Sequence, residues 1–330
     1  MVYVGASDTE APLMEDESKQ KAQKVDRARS EKWLVRANLF VAFFVHFPQA
    51  ILLALFAKGY AVQLFVYYST WVPQDPNYSC FDTLPSGEKN VCSITQTRAQ
   101  ASSIDMKALT VAFFLLSWAF QSFPLLTEES RKTYLDNVRN GTQIYRYVEY
   151  SISASLMIVQ FAVLVGVDDV NVVMNLFWAS AAIMILGFCT DTIDYYQRKT
   201  GVVQSKWDAI FERLLPCLVA WFVFLFQWIY VGSRFGYSIK MGVDVPTELY
   251  AILFLEFGLF FAFGVNAAAA SLPKPGSVIP DERMVDRVTS EWVYVFLSAI
   301  AKTLLAEILF LSYNMRKSDL LTYSPLCPGS

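Results

Sequence analysis

Apolar residues are concentrated in seven segments of the chain, which are separated by stretches rich in charged and polar residues. Each segment is close to the roughly 20 residues that a helix needs to cross the hydrocarbon core of a bilayer. Helices are expected because lipid offers the backbone no other hydrogen-bond partners. The pattern predicts an all-α membrane protein with seven transmembrane helices, at about residues 37–57, 107–126, 145–166, 171–190, 211–231, 248–271 and 291–313.

The composition and the polar ends of the chain agree with a membrane protein. Hydrophobic residues make up 55% of the 330 residues and the mean hydropathy is positive, which is too apolar for an ordinary soluble domain of this size. Residues 1–32 are charged and poor in aromatic residues, so a flexible or locally helical cytoplasmic tail is expected there. We therefore divide the chain into this tail, a bundle at residues 33–315 and a second, extracellular tail at residues 316–330.

Basic residues are distributed unequally between the two sides that seven spans would define. One side, which includes the N-terminal tail, carries 18 lysines and arginines, whereas the other carries 8. Loops with an excess of basic residues usually remain in the cytoplasm. The bias predicts an integral, multi-pass membrane protein with its N-terminus in the cytoplasm and its C-terminus outside.

The first connection, residues 58–106, is a long polar segment that this orientation places outside the cell. It contains Cys80, Cys92 and a glycosylation-type triplet that begins at Asn77, all of which suit an oxidising compartment. A Cys80–Cys92 disulfide and two free thiols are both compatible with the sequence.

Motifs that would indicate catalysis or nucleic-acid binding are not found in the sequence. There is no phosphate loop, no zinc-ligand spacing and no nucleophile triad. The acidic pI of about 5.4 reflects charges spread over the tail and loops, so it gives no indication of a nucleic-acid partner. We predict no enzymatic activity and no metal site, and we expect the chain to be surrounded by membrane lipid.

A single lysine, Lys302, lies near the centre of the apolar stretch from Trp292 to Leu311. About ten residues separate it from either end, or roughly 15 Å at ~1.5 Å per residue, and its side chain reaches less than half of that. A charged lysine at this depth costs about 2.5 to 3.5 kcal/mol, and such residues usually face a bundle interior and mark function. A structural lysine paired with a carboxylate is the alternative.

The chemistry of a shielded amine narrows the role of Lys302. Away from water an amine loses its proton more easily, and the neutral amine can condense with an aldehyde to give an imine. A long apolar aldehyde such as retinal would fill such a site. A protonated imine then needs a negative partner, and the candidate is Glu149, which shares a helix face with Ser153 and Met157. The alternative for Glu149 is an interfacial carboxylate paired with Arg146.

Two segments of the sequence resemble the heliorhodopsin family. They are RYVEYSISAS at residues 146–155, in the third predicted helix, and SAIAKTLLA at residues 298–306, in the seventh. The similarity extends over about residues 35–315. It implies a seven-helix rhodopsin bundle of inverted orientation that binds retinal, with the N-terminus inside, in agreement with the distribution of basic residues. The family also implies a homodimer.

The resemblance assigns roles to individual residues. Lys302 would carry retinal, all-trans in the dark, as a Schiff base, and Glu149 would be its counterion. Ser153, Ser117 and Ser298 would surround that ion pair. The resemblance implies that the polyene is lined by Met157, Trp221 and one of Phe260 or Phe261.

Several positions bear on proton movement, and at some of them the sequence departs from the family. His46 matches a family histidine in a cytoplasmic-side polar cavity, although a lone histidine in an apolar helix is more often a core residue. Gln121 stands where the family commonly has a second histidine, and it cannot transfer a proton near neutral pH. Lys302 is central, whereas two additional intramembrane carboxylates, Glu256 and Glu307, lie about two turns in from the outer ends of their helices. Glu307 is about 140° around the helix from the lysine, so it can instead face a neighbouring helix or a partner subunit.

These features lead to two hypotheses for function. In the first, the protein is a photoreceptor: isomerisation of retinal moves the Schiff base proton to Glu149 or its surroundings, and slow recovery maintains a signalling conformation for an unknown cytoplasmic partner. In the second, Glu149, Glu256 and Glu307 form a light-gated proton-conducting channel. A receptor coupled to a G protein does not fit, because that class has the opposite orientation and an Asn-Pro signature that this chain lacks.

Overall fold

The computed structural model of the protein describes residues 11–57, 59, 61–80, 82–200, 206–241, 247–272 and 283–315. Within these residues, seven helices are long and apolar enough to cross a membrane. They coincide with the seven segments predicted from the sequence, so the chain is an integral, multi-pass membrane protein built as a helical bundle. The tail predicted at residues 316–330 lies outside the described residues.

Spanning helices alternate with short connections, except for a β-hairpin after the first span and a surface helix after the second. In chain order the elements are α1 (Ala11–Phe40), a π-helical segment (Val41–His46), α2 (Phe47–Phe56), β1 (Ala61–Pro73), β2 (Cys92–Asp105), α3 (Met106–Leu126), α4 (Glu128–Asn140), α5 (Ile144–Leu164), α6 (Val170–Thr200), α7 (Lys206–Lys240), α8 (Thr247–Ser271) and α9 (Arg287–Met315). We call the end of the bundle that carries β1 and β2 the hairpin end, and the opposite end, where α4 lies, the α4 end.

The first span is formed by α1, the π-helical segment and α2 without a break. Pro48, in the first turn of α2, has no N–H to donate to the carbonyl of Phe44, so the regular α-helical pattern is interrupted there. Residues 41–46 adopt the wider π-helical spacing, which often marks functional positions, and His46 at its end is fully buried. The helix also continues across residue 33, so the predicted tail is helical from Ala11 onward.

The first connection folds as a β-hairpin, which the hydrophobic pattern does not predict. β1 and β2 pair antiparallel along their whole length, and most residues of β2 are exposed, so the strand lacks the alternation of apolar and polar residues that marks a half-buried strand. Cys80 and Cys92 are joined by a disulfide, the first of the two alternatives that the sequence leaves open. Tyr67 donates a hydrogen bond to Asp168 Oδ2 at 2.8 Å, and this contact fastens the hairpin to the connection between α5 and α6.

The helix α5 is the most enclosed of the described spans, with 67% of its spanning window buried. It packs against α3 on one side and α6 on the other. Small residues at positions 153–155 allow neighbouring helices to approach closely, as is common between membrane helices. Side chains on α5 therefore project into the centre of the bundle.

Buried carboxylates and arginines form an ion-pair network at the α4 end. Asp194 is fully buried, while Asp191 and Glu291 both pair with Arg146. The side chains that surround Asp194 are Arg198, Arg213, Arg283 and Arg287. The network connects α5, α6, α7 and α9 at this end of the bundle.

We expect Asp194→Asn to destabilise the bundle strongly. The substitution leaves four arginines without their central negative charge, and removing one partner of a buried ion pair typically costs about 3–5 kcal/mol. The guanidinium groups cannot escape by losing protons, because arginine side chains stay protonated in proteins. The measurement is the unfolding temperature of the detergent-purified protein.

Asp136→Asn is the matched control for this prediction. Asp136 is an exposed carboxylate of α4 that pairs with Arg139, and exposed pairs contribute about 0–1 kcal/mol. Equal losses in the two variants would contradict a central role for Asp194.

Candidate functional site

Lys302, Glu149 and Ser117 meet in the interior of the bundle. Lys302 from α9 and Glu149 from α5 are each 3% exposed, and Ser117 from α3 is fully buried. Lys302 Nζ forms an ion pair with Glu149 Oε1 and donates to Ser117 Oγ at 2.5 Å. Ser117 Oγ donates to Glu149 Oε1 at 2.7 Å. The buried amine therefore has a negative partner and a hydroxyl held beside both charges.

Arg146 does not pair with Glu149. It pairs instead with Glu291 and, at 3.2 Å, with Asp191, and its guanidinium carbon lies 3.9 Å from the centroid of the Tyr294 ring. The interpretation of Glu149 as an interfacial carboxylate paired with Arg146 is therefore wrong. Both acidic partners of Arg146 lie on other helices, and Glu149 is left to the lysine.

A cavity extends from Lys302 through the interior of the bundle. Its walls are mainly apolar and aromatic, as is usual for sites that bind small apolar molecules. Phe261 does not reach the wall, since it is 42% exposed and packs its ring against Trp221 with centroids 5.0 Å apart. The predicted residues that do line the cavity are Ser153, Ser298, Met157, Trp221 and Phe260.

Gly264 determines how closely the aromatic wall can approach α8. A Cβ atom at this position would lie 2.6 Å from the ring of Trp221, which is too close for any side chain. Glycine therefore allows the Trp221 ring to lie directly against the backbone of α8. The shape of the cavity at this point depends on both residues.

The wall residues at the two ends of the cavity form two layers, and each layer is named after the end of the bundle that it is nearer to. On each helix, the wall residue nearest the hairpin end belongs to the hairpin-side layer, and the one nearest the α4 end belongs to the α4-side layer. The hairpin-side layer consists of Met157, Ser180, Gln227, Phe260 and Lys302. The α4-side layer consists of Arg146, Asp191, Cys217, Ser271 and Tyr294. The α4-side layer thus includes part of the ion-pair network.

His46 and Gln121 are buried but do not line the cavity. Neither ring nitrogen of His46 has a hydrogen-bond partner among the described residues, and its ring lies 5.6 Å from that of Phe114. Gln121 lies one turn after Ser117 on α3, and its Oε1 also has no partner in the described part of the chain. Both side chains retain unused hydrogen-bonding capacity.

Glu256 is 1% exposed, and neither of its oxygens has a hydrogen-bond partner among the described residues. It lies four residues before Phe260 and so on the same face of α8, one turn beyond the cavity wall. Asn266 of α8 donates to the carbonyl of Ser290 in α9 at 3.0 Å, which aligns the two antiparallel helices. Glu256 lies nine residues after the start of α8, about two and a half turns in, as expected, and from this contact it is at about the depth of Lys302.

The structure does not bring Glu307 to the lysine site. Its side chain is exposed on α9, as the angle between the two residues on the helix allows. Glu307 and Lys302 therefore face different surroundings, although they are only five residues apart.

The sequence gives uneven signals for the wall residues that were not predicted, among them Tyr150, Ser180, Asp191 and Gln227. Gln227 carries the clearest signal, because it is a polar residue inside the apolar segment 211–231. Asp191 lies one residue beyond the predicted segment 171–190, whereas α6 continues to Thr200 and buries it. A serine or tyrosine in an apolar helix has little diagnostic value by itself.

A family model described as heliorhodopsin matches residues 34–313, which is most of the chain. No curated protein matches the sequence significantly. The matched region contains Lys302, Glu149 and Ser117, and it also contains the residues of the cavity wall.

Proposed function

The chain belongs to the heliorhodopsin family of retinal-binding, light-sensing rhodopsins, and we propose that Lys302 carries the retinal as a Schiff base, all-trans in the dark. The observation that carries this proposal is the buried lysine, which opens into an apolar cavity and is paired with the buried carboxylate of Glu149. The bound group supplies absorption of visible light and isomerisation about a double bond. The test is visible absorption after addition of all-trans retinal, with and without Lys302.

The residues on the cavity wall fit a long apolar group attached at Lys302. Met157, Trp221 and Phe260 supply apolar and aromatic surface along the cavity. Ser153 Oγ is buried on the wall without a hydrogen-bond partner among the described residues, so it is available to a polar end at the lysine. The wall is therefore apolar along most of the cavity and polar near the lysine, as retinal attached through an imine requires.

Glu149 and Ser117 control the proton on Lys302 Nζ in this proposal. The carboxylate stabilises the positive charge in the low-dielectric interior, and Ser117 links the two groups. Weakening of this pair when the bound group isomerises would favour transfer of the proton to Glu149 Oε1, which lies beside Lys302 Nζ. Protonation of Glu149 then removes a negative charge one turn from Arg146 on α5.

The ion-pair network gives this local change a route to the rest of the bundle. Arg146 is held by Asp191 on α6 and Glu291 on α9. When Glu149 becomes neutral, the balance of charge around Arg146 changes, and the three helices that it connects respond. We infer a photoreceptor in which the α4 end changes conformation after illumination.

The orientation that we propose places the N-terminus and the α4 end in the cytoplasm. The excess of basic residues on that side supports it. The network would then lie where an unidentified cytoplasmic signalling partner can respond to it. A homodimer is the assembly that the family implies.

A second candidate function is a light-gated proton-conducting channel that uses Glu149, Glu256 and Glu307. The observation that favours it is Glu256, a buried carboxyl group without a partner in the described part of the chain and at about the depth of Lys302. Buried ionisable groups in membrane spans usually mark ion or proton pathways. Glu307 would contribute only from the exposed face of α9.

We expect Glu256→Gln to reduce a photocurrent strongly if this second function is correct. A glutamine cannot take up and release a proton, so the current should fall to about one-tenth or less, a modest loss for a positioned acid–base group. The measurement is whole-cell voltage clamp under visible light in coloured cells, across an imposed pH gradient. A current whose size, reversal potential and pH dependence do not change would exclude Glu256 from the path. Asp136→Asn, at an exposed carboxylate of α4 that is not part of the proposed path, serves as the control.

A further inference from the structure

Ser180 and Gln227 are two polar residues in the hairpin-side layer of the cavity, and they lie across it from Lys302. Ser180 is on α6 and Gln227 on α7, two helices that pack against each other, whereas α9 packs against α8 and the first span. Both side chains are buried. A group attached to Lys302 that extends across this layer therefore has its far end near the Ser180–Gln227 pair.

The orientation of the Gln227 amide is determined by its contacts. Nε2 lies 2.8 Å from the backbone carbonyl of Leu176, which can only accept, so this atom must be the nitrogen. The second amide hydrogen is donated to Ser180 Oγ at 2.8 Å. Both donors of the amide are therefore used within the protein.

The hydrogen-bonding capacity that the pair has left on this wall is therefore that of its oxygen lone pairs. Gln227 Oε1 has a single contact, with Ser180 Oγ at 3.2 Å, and an amide oxygen has two lone pairs. The neighbouring wall residues Phe224, Met157 and Ile183 are apolar or aromatic. The negative end of the local dipole thus lies toward the end of the cavity that is remote from the lysine.

We propose that Ser180 and Gln227 contact the ring of the retinal and shift its absorption to longer wavelength. The inference rests on the proposed attachment of retinal to Lys302. Excitation of a protonated retinal imine moves positive charge from the nitrogen toward the ring. Oxygen atoms beside the ring stabilise this redistributed charge more than the ground state, so they lower the excitation energy. The pair then determines colour from the end of the cavity opposite to Glu149.

The test compares absorption spectra of retinal-reconstituted variants. Gln227→Leu and Ser180→Ala should each form a visible pigment whose maximum lies at shorter wavelength than that of the unaltered protein. Ser180→Ala removes a single oxygen, so it decides the question if the larger change at Gln227 prevents pigment formation. An unchanged maximum, or a shift to longer wavelength, would overturn the proposal.

Gln160→Leu is a closely matched control. Gln160 Nε2 also donates to a hydroxyl, Thr110 Oγ1 at 2.6 Å, and to a backbone carbonyl, that of Met106 at 3.2 Å, but Gln160 does not line the cavity. Its pigment should keep the original maximum. Unfolding temperatures of the retinal-free variants provide a readout that is independent of the pigment, and a similar loss is expected for the two Gln→Leu proteins.

The outcomes separate this inference from the proposed function. An equal spectral shift in Gln160→Leu would assign the effect to loosened helix packing and overturn the role of the pair. An unaltered protein that forms no visible band with all-trans retinal would instead contradict the attachment to Lys302.

Discussion

Lys302→Ala is expected to abolish visible absorption of the protein supplied with all-trans retinal. The only amine that opens into the cavity from its described wall is Lys302 Nζ, and an alanine cannot form an imine. Removing the lysine also leaves Glu149 buried without its cation. The measurement is the absorption spectrum of the purified protein after reconstitution.

Two further measurements exclude misfolding as the reason for lost colour. A small alkylamine added with retinal should restore a visible band in Lys302→Ala, because the imine can form in solution and enter the intact cavity. Lys132→Ala, at an exposed lysine of α4, should keep the full band. A Lys302→Ala protein that is coloured without added amine would rule out this lysine as the attachment site.

Glu149→Gln is expected to make the pigment lose its visible band at lower pH than the unaltered protein. The glutamine cannot provide the negative charge that holds the proton on the imine nitrogen. Loss of one partner from a buried pair is typically worth about 3–5 kcal/mol, which corresponds to roughly two to four pH units. The pH at the midpoint of this loss should fall, because the neutral imine becomes favoured over the charged one. A pH titration that follows conversion of the visible band to a near-ultraviolet band gives the result.

The control for Glu149→Gln is Glu307→Gln. Glu307 lies on the same helix as Lys302 but is exposed and forms no part of the Lys302–Glu149–Ser117 group. Its substitution should leave the midpoint unchanged. A Glu149→Gln pigment that titrates like the unaltered protein would mean that another group serves as the counterion.

The membrane bundle and the lysine–glutamate pair are predictable from the sequence for simple physical reasons. A bilayer requires long apolar segments, so seven spans are visible as a pattern of composition. A lysine in the middle of such a segment is costly, so Lys302 is conspicuous. Glu149 follows because a buried cation needs an anion, and the sequence segments that resemble the heliorhodopsin family contain both residues.

Other features depend on contacts that a linear pattern does not contain. Most residues of β2 are exposed whichever face of the hairpin they lie on, so the alternation that would reveal this strand is missing. The depth of Glu256 relative to Lys302 depends on how α8 and α9 are aligned, which the contact between Asn266 and Ser290 determines. The buried network around Asp194 lies where apolar character fades, so from the sequence its charged residues resemble those of a loop.

The pairing of Ser180 with Gln227 likewise depends on contacts between helices. Gln227 is conspicuous as a polar residue in an apolar segment, but neither residue by itself indicates what it contacts. Their significance arises from the amide orientation, which the carbonyl of Leu176 determines, and from the common cavity wall. Neither the amide orientation nor the shared wall can be predicted from the sequence.

The most direct measurement of the central claim is the location of the covalent bond. Borohydride treatment of the illuminated pigment should add hydride to the imine carbon and a proton from water to the nitrogen, which traps retinal as a stable secondary amine on its lysine. Mass spectrometry of the digested protein is then expected to find the added retinyl mass on the peptide that contains Lys302. A coloured protein in which the retinyl group is found on a different lysine, or on none, would contradict the proposed site.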